Sequence, residues 1–303
     1  MNSGGTSLVL TLAAKTNISP VIKCPTEPRL KIKVETFSSE KLVRQWRILY
    51  LRPEFLKKTG MGSLKSAVKK LFVNALFAHL RRSYSQSGED IIISDLFTRL
   101  GIGHPTYLDI GANEPVALSN TYRLYTRGSR GVCVEPNPVL YKKLLAKRKG
   151  DVCINAGVAF DERTSGDFYL FPEKFHGLNT FSKSDAAFWE HTGTKEIGKP
   201  KIEKTISMPL ININEIMQKH FAGHPNFISL DVEGLDLEIA RTIDFNQFRP
   251  EVFCVETLAY AENGREIKNQ SIIDFFTSKG YFIYADTYIN TIFCRRDAYE
   301  RSH

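Results

Sequence analysis

The chain has 303 residues, of which 42% are hydrophobic and 24% are charged, with 20 Gly and 13 Pro. This composition excludes a disordered, collagen-like or coiled-coil protein, and the length suits one sizeable α/β domain with an accessory segment. The net charge of +8 is uneven, because residues 1–83 hold 16 Lys and Arg against 4 Asp and Glu, and the remainder holds 25 against 29. We therefore predict a basic N-terminal extension over residues 1–83 that meets an acidic surface, and we expect no nucleic-acid partner.

The apolar segments and the cysteines indicate the cellular environment. No apolar run approaches the roughly 18–20 residues needed to cross a bilayer, and we expect neither a signal peptide nor a membrane span. The five cysteines include no C-x-x-C pair, so a disulfide framework or a zinc site is not expected. This usage fits a reducing compartment, and we predict a cytoplasmic protein, peripheral to a membrane if the basic extension binds lipid.

Two basic amphipathic helices are predicted in the extension, over residues 41–50 and 64–82. In the second, apolar residues recur at helical spacing, and basic residues flank them. These basic residues are Lys65, Lys69, Lys70, Arg81 and Arg82. The apolar faces either pack on the main domain or dock on a membrane surface or a partner.

After Tyr84, predicted strands alternate with predicted helices, a pattern typical of a parallel sheet covered on both faces. The strands are predicted at 107–110, 131–135, 152–155, 227–231 and 252–256, followed by a closing pair at 282–285 and 291–294, with a hairpin-like piece at 168–171. The helices are predicted at 88–100, 119–125, 138–147, 235–243 and 266–279. Five parallel strands followed by a hairpin make the last strand antiparallel to its neighbours.

Three predicted strands end in acidic residues: Asp109, Glu135 and Asp231. Ligands of open parallel sheets bind beyond the carboxyl ends of the strands, and Glu135 stands where an acid binds a ribose diol. The turn at Gly111 lets backbone approach a ligand, but it lacks the G-x-G-x-x-G pattern that seats a pyrophosphate. A cofactor with ribose and adenine but no phosphate, such as S-adenosylmethionine, therefore fits better than a nicotinamide dinucleotide. Alternatively, Asp109 and Glu135 merely cap helices.

Five motifs spread along the chain carry a family resemblance. They are Tyr84-Ser85-Gln86-Ser87-Gly88-Glu89-Asp90, Asp109-Ile110-Gly111-Ala112-Asn113-Glu114-Pro115, Ser119-Asn120-Thr121-Tyr122, Glu135-Pro136-Asn137-Pro138 and Asp231-Val232-Glu233-Gly234. Together, over about residues 84–295, they resemble the FkbM family of S-adenosylmethionine-dependent methyltransferases. The resemblance implies a Rossmann-like class I methyltransferase domain over residues 84–298, with seven strands and the last one antiparallel. It also implies O-methylation of a hydroxyl, and the second and third motifs look like those of members associated with sugars and polysaccharides.

The resemblance further implies which residues surround the cofactor. They are Asp109, Gly111 and Asn113 at the methionine end, Glu135 at the ribose, Ala156, Gly157 and Val158 at the adenine, and Gln86 and Glu89 from the preceding helix. Asp231 would face the transferred methyl group. No metal ligands are among these expected residues.

A neutral sugar hydroxyl is a weak nucleophile, so a general base is expected beside it. The candidates are Asp231, Glu233, Glu256 and His176. Asp231 is preferred because a strand fixes it, and His176, which lies in a predicted loop, is the alternative. Carboxylates grouped at strand ends could instead hold Mg²⁺, which would make the protein a magnesium-assisted methyltransferase of a small-molecule acceptor.

The long segment 172–205 is Lys-rich yet contains Phe175, Phe181, Phe188 and Trp189. Its aromatic residues either face the sugar rings of a glycan acceptor or pack the segment onto the domain. The competing class of protein is a catalytically silent cofactor-binding or interaction module, which would have lost the acids at its strand ends. Those acids are present, so we predict an enzyme.

Overall fold

The computed structural model describes residues 82–193, 198–260 and 266–302. The helices predicted in the basic extension lie outside the described residues, apart from Arg82. The boundary between the extension and the main domain stays a prediction.

Twelve strands and eight α-helices are found in the described residues. The strands are β1 (Tyr107–Ile110), β2 (Gly131–Val134), β3 (Val152–Ile154), β4 (Gly157–Ala159), β5 (Ser165–Leu170), β6 (Lys204–Asn212), β7 (Phe227–Leu230), β8 (Val252–Glu256), β9 (Leu258–Tyr260), β10 (Glu266–Lys268), β11 (Tyr281–Asp286) and β12 (Asn290–Arg295). The helices are α1 (Glu89–Arg99), α2 (Tyr122–Thr126), α3 (Pro138–Lys147), α4 (Lys183–Thr192), α5 (Ile213–His220), α6 (Asp236–Thr242), α7 (Gln270–Ser278) and α8 (Arg296–Arg301).

The main sheet has seven strands in the order β11-β12-β8-β7-β1-β2-β3. Strands β3, β2, β1, β7 and β8 pair in parallel, whereas β12 is antiparallel to both β8 and β11. The predicted seven-stranded α/β sheet, with its last strand antiparallel, is therefore confirmed. A three-residue connection between β11 and β12 suffices because antiparallel neighbours need no crossover helix.

Helices cover both faces of this sheet. Because side chains alternate along a strand, Leu108 and Ile110 of β1 face one side and Tyr107 faces the other. Apolar residues of α5, α6 and α7 pack on the first face, and those of α1, α2 and α3 pack on the second. Within the described part of the chain, no helix is long and apolar enough to span a bilayer. The four cysteines described there are free.

Several regions differ from the sequence prediction, among them α5, α8 and β4, which were not predicted. The helix predicted over 266–279 begins only at Gln270, because Glu266–Lys268 pairs with β9 as a strand. The piece predicted at 168–171 belongs to β5, which pairs with the unpredicted β6 over six residue pairs. Strand β6 also pairs with β4, forming a second sheet in the order β4-β6-β5.

Candidate active site

Acidic side chains gather at the carboxyl edge of the main sheet. Glu135, Asp231 and Glu256 end β2, β7 and β8 or directly follow them. The ladder continues through the first two, because Glu135 donates its backbone N–H to Ile154 and Asp231 donates its own to Ile110. Alternation along the strands places all three acids toward the face that α1 covers. The expected convergence of strand-end acids on one edge is therefore present.

Glu135 is buried and only partly satisfied. Its Oε1 accepts the backbone N–H of Asn137 at 2.7 Å, and its Oε2 accepts that of Asn113 at 2.8 Å. A carboxylate has about four acceptor positions, so two remain for ligand hydroxyls. Burial raises the pKa of Glu135 to about 7, although the two N–H groups oppose the shift. This side chain suits a ribose diol, which brings two O–H donors.

The turn after β1 is built for close approach. Gly111 has φ +76°, and a Cβ at this position would lie 1.8 Å from the backbone oxygen of Asp231. Asn113, in the same turn, also has a positive φ of +51°. Its side-chain oxygen is buried and has no hydrogen-bond partner. That oxygen could accept a hydrogen bond from an N–H group, and the amino group of a methionine moiety provides one. Together with Glu135, these residues fit S-adenosylmethionine.

Asp109 lies in a buried polar network on the α1 side of the sheet. Its Oδ2 accepts the hydroxyl of Thr121 and lies 4.0 Å from Nη2 of Arg148. Arg148, 1% exposed, also binds Asp151 at 2.9 Å and stacks over the ring of Tyr107. Because this network engages the Asp109 carboxylate, Asp109 supports the β1 turn from beneath, and its contact with the methionine end stays a prediction. Nothing in the sequence distinguishes Arg148 from the other cations of its Lys-rich run.

Asp231, Glu233 and Glu256 form a three-carboxylate cluster in which one oxygen of each lies within 4.8 Å of the others. The three side chains are partly exposed. Burial, with the nearby charges of Asp109 and Glu89, raises the pKa of Asp231 to about 6. Burial and the charge of Asp231 hold the pKa values of Glu233 and Glu256 well above their usual range. The cluster can accept protons or bind a cation.

Of the two site residues predicted near the start of α1, Gln86 and Glu89, only Glu89 lies at the carboxyl edge of the main sheet. Glu89 is fully buried, and its Oε1 accepts the hydroxyl of Thr287 at 2.6 Å and the amide nitrogen of Asn290 at 3.2 Å. Its charge acts on Asp231. Gln86, in the turn before α1, is exposed, so its role in closing the site stays a prediction.

The insertion between β5 and β6 docks on the site through polar groups. The Thr180 hydroxyl donates to the backbone oxygen of Glu233 at 2.9 Å, and the Asp185 carboxylate lies against Gly234. His176 lies in a 3₁₀ helix (Glu173–Leu178), with its Nε2 4.0 Å from Oε1 of Glu114. His176 thus faces the loop after β1 and is not a member of the three-carboxylate cluster.

The aromatic residues of the insertion mainly form its own core. Phe175 and Trp189 are buried together with Phe171, and Phe188 packs edge-on against Trp189. Phe181 packs against Phe168 and covers Gly157. Of the two alternatives left open by the sequence, the structure favours packing over a stacking platform for sugar rings.

The predicted adenine residues follow β3. Ala156 and Val158 are buried, and Gly157 lies so close to Phe181 that a Cβ there would approach its ring to 2.4 Å. The backbone at this position is therefore fixed between the main sheet and the insertion. Contact with adenine stays a prediction for all three residues.

We expect Gly111→Ala to disrupt the site and destabilise the fold. A left-handed backbone costs an Ala residue about 1–2 kcal/mol. Overpacking against the backbone of Asp231 adds about 1–3 kcal/mol, because β1 and β7 must separate. Urea unfolding and cofactor titration measure the two effects.

Gly101→Ala provides the matched control for this substitution. Gly101 has a similar φ of +71°, but no atom lies within 4 Å of its added Cβ. It should show the backbone cost alone and keep cofactor affinity. Equal losses of stability in the two variants, with intact binding in both, would contradict the close approach of Gly111 to Asp231.

The sheet order and the strand-end acid at Glu135 define a class I methyltransferase fold. The family described as the methyltransferase FkbM domain matches residues 109–283, more than half of the chain, and the protein belongs to this family. The resemblance predicted from the five motifs is confirmed. The protein is a methyltransferase, and S-adenosylmethionine is its methyl donor.

Solved structures of methyltransferases are similar to this chain at low identity. The O-methyltransferase from Bacillus cereus in complex with SAH is 11% identical, with TM-score 0.36, over 79% of this chain and 94% of that one. Magnesium protoporphyrin IX methyltransferase (ChlM) from Synechocystis PCC 6803 with bound SAM is 8% identical, with TM-score 0.34, over 85% and 96%. The 1,6-didemethyltoxoflavin-N1-methyltransferase of Burkholderia thailandensis is 8% identical, with TM-score 0.33, over 87% and 91%. Similarity this weak carries no argument about the acceptor. No curated protein matches the chain.

Proposed function

We propose that this methyltransferase transfers its methyl group to a hydroxyl oxygen, and that the acceptor is a sugar or a glycan. The observation that carries the proposal is the three-carboxylate cluster beside the cofactor turn, since Gly111 packs directly on the backbone of Asp231. Carboxylate oxygens accept hydrogen bonds, so the cluster favours an acceptor that brings donors. A sugar brings several hydroxyl donors at once.

The cofactor and the acceptor would occupy neighbouring parts of the carboxyl edge. Bound S-adenosylmethionine supplies a methyl group on a positively charged sulfur. Glu135 would accept the ribose hydroxyls, and Asn113 would accept the amino group of the methionine part. The charge of Asp231 acts on Glu135, so the ribose and acceptor halves of the site lie within electrostatic reach of each other. The chain's main contribution is the alignment of the two reactants.

Asp231 is the proposed general base, with Glu233 and Glu256 beside it. A base must lie within hydrogen-bond reach of the proton that it removes, and a strand end holds Asp231 more firmly than a loop holds a side chain. His176 remains the second candidate, because its buried Nδ1 has no hydrogen-bond partner and could accept a proton. Its neighbour Glu114 would then orient the ring.

An acceptor panel tests the proposal. The full chain is incubated with methyl-labelled S-adenosylmethionine and sugars, small alcohols, amines and peptides, and the labelled products are identified by mass spectrometry and NMR. We expect label on a hydroxyl oxygen of polyhydroxylated acceptors. Label on nitrogen or carbon would overturn the hydroxyl proposal. Tight cofactor binding without transfer to any acceptor would favour the silent module.

We further propose a peripheral, cytoplasmic location in which the basic extension meets an anionic lipid surface or a charged glycan carrier. The support is the charge of residues 1–83, with 16 Lys and Arg against 4 Asp and Glu. Binding of the full chain to anionic vesicles is expected to fall steeply with salt, because exposed charges are screened beyond about 8 Å at physiological ionic strength.

A variant with Lys65, Lys69 and Lys70 changed to Gln should bind the vesicles less tightly at low salt. Neutral vesicles serve as the control, and co-sedimentation measures both. Absence of vesicle binding at low salt, together with full activity on soluble acceptors, would assign the segment a packing role instead.

A further inference from the structure

We propose that the three-carboxylate cluster of Asp231, Glu233 and Glu256 is a divalent-cation site that takes Mg²⁺, Mn²⁺ or Ca²⁺. One oxygen of each side chain lies within 4.8 Å of the other two. Ligands on opposite sides of such an ion, bound at 2.0–2.6 Å, stand roughly 4.0–5.2 Å apart. The cluster therefore has the dimensions of a coordination shell before any side chain moves.

A second observation lies directly beside Glu256 in the sheet. Asn290 is 3% exposed, and its side-chain oxygen has no hydrogen-bond partner. Asn290 pairs directly with Glu256 across the β8–β12 ladder, so the two side chains lie on the same face of the sheet. Its amide nitrogen is already committed to Glu89, which leaves the oxygen as the free group. An amide oxygen is a hard ligand of the kind that these ions bind, and this one has no hydrogen-bond donor beside it.

A cation would also relieve the repulsion among the carboxylates around the cluster. Burial first, then the charge of Asp231, and then those of Asp236 and Asp185 outside the cluster, raise the pKa values of Glu233 and Glu256. Taking several like charges out of water is costly, and the cost is removed either by protonation or by positive charge beside them. The cofactor's sulfonium brings one positive charge against three carboxylates, whereas a divalent cation brings two more.

The backbone supports such a site. Glu233 has φ +56°, an uncommon conformation for a residue with a side chain, and the Thr180 hydroxyl holds its backbone oxygen. Such local strain persists where the surrounding structure fixes a functional group in place. A bound cation would orient an oxygen of the acceptor beside the methyl group. Asp231 has two oxygens, so it can bind the cation with one and remain available to the acceptor's proton with the other.

Binding of Mn²⁺ to the full chain, followed by electron paramagnetic resonance, tests the site without requiring an acceptor. We expect stoichiometric binding in the wild type, and Glu256→Gln and Glu233→Gln should each weaken it by about tenfold or more through loss of a charged ligand. Glu162→Gln is the matched control, since this exposed acid lies outside the cluster. Retained binding of S-adenosylhomocysteine shows that each variant is folded.

The cation site would be overturned if the wild type did not bind Mn²⁺ stoichiometrically. It would also be overturned if Glu256→Gln and Glu233→Gln bound Mn²⁺ as tightly as the wild type. The inference rests on the proposed function only in that the acceptor's hydroxyl would bind the cation. The cation site and the hydroxyl proposal can fail separately. Hydroxyl methylation that persists undiminished in a chelator would overturn the cation's role and leave the proposed function standing. Mn²⁺ binding in a protein that methylates only nitrogen or carbon would uphold the site and overturn the hydroxyl proposal.

Discussion

Replacing Arg148 with methionine is expected to lower the free energy of unfolding by about 3–5 kcal/mol, the usual cost of removing one partner from a buried ion pair. Methionine keeps much of the unbranched stem, so the loss reports chiefly on charge. Without the guanidinium, the buried carboxylates of Asp109 and Asp151 lose their positive neighbour. The stacking over Tyr107 is lost as well. Urea unfolding followed by circular dichroism measures the change.

Arg163→Met is the matched control for this prediction. Arg163 binds Asp161 at 2.8 Å, but both side chains are exposed. Exposed pairs contribute about 0–1 kcal/mol, so the control should unfold close to wild type. If the two variants lose the same small amount of stability, the buried network beneath the β1 turn does not support the fold as described.

Asp231→Asn is expected to slow methyl transfer by about 10²–10⁴-fold at saturating cofactor, the usual contribution of a placed general base. Asn keeps the size of the side chain but cannot take the proton. His176→Ala should have a much smaller effect, because His176 faces Glu114 and not the cluster. Single-turnover rates measure transfer apart from product release.

Cofactor and acceptor affinities must be measured for both variants, so that a loss of binding is not mistaken for a loss of proton transfer. Glu162→Gln again serves as the control. A large loss in His176→Ala with a small one in Asp231→Asn would reverse the two assignments. If both variants transfer methyl within about threefold of wild type, neither residue is the base, and the rate rests on positioning or on a metal.

Local sequence signals were sufficient for much of the domain. The predicted bounds of β1, β8 and α3 match the structure, because their signals are contained within each element. For α3, Asn137 caps the N-terminus by accepting the backbone N–H of Val139, and Pro138 occupies the first helical position. Strand β6 was not predicted, because it is stabilised by pairing with β4 and β5, which lie far from it in the sequence.

The candidate site was predictable to the same degree. Strand order alone places Glu135, Asp231 and Glu256 on one edge, so the sequence could predict their proximity. It could not predict which carboxylates are already engaged, since the commitment of Asp109 to Thr121 depends on how α2 and α3 pack. Asn290 gave no signal either, because an unpartnered oxygen is a property of the folded surroundings.

Glu135 is the residue proposed to hold the cofactor ribose. Calorimetric titration of S-adenosylmethionine into wild type and Glu135→Gln tests this role without knowledge of the acceptor. We expect the variant to lose about 1.5–3 kcal/mol of binding free energy, as for hydrogen bonds to a charged group. Glutamine can accept only one of the two backbone N–H groups that Glu135 accepts, so circular dichroism and urea unfolding must show that the variant is folded.

The same titration, repeated across pH, gives a second readout. The pKa of Glu135 is raised to about 7, so the carboxyl is protonated below that pH and offers fewer acceptor positions. Wild-type affinity should therefore fall as the pH is lowered through about 7, and binding should release protons there, whereas the Glu135→Gln variant should lack this dependence. Equal affinities of the folded wild type and variant, with the same pH profile, would contradict the placement of the cofactor at this edge of the sheet.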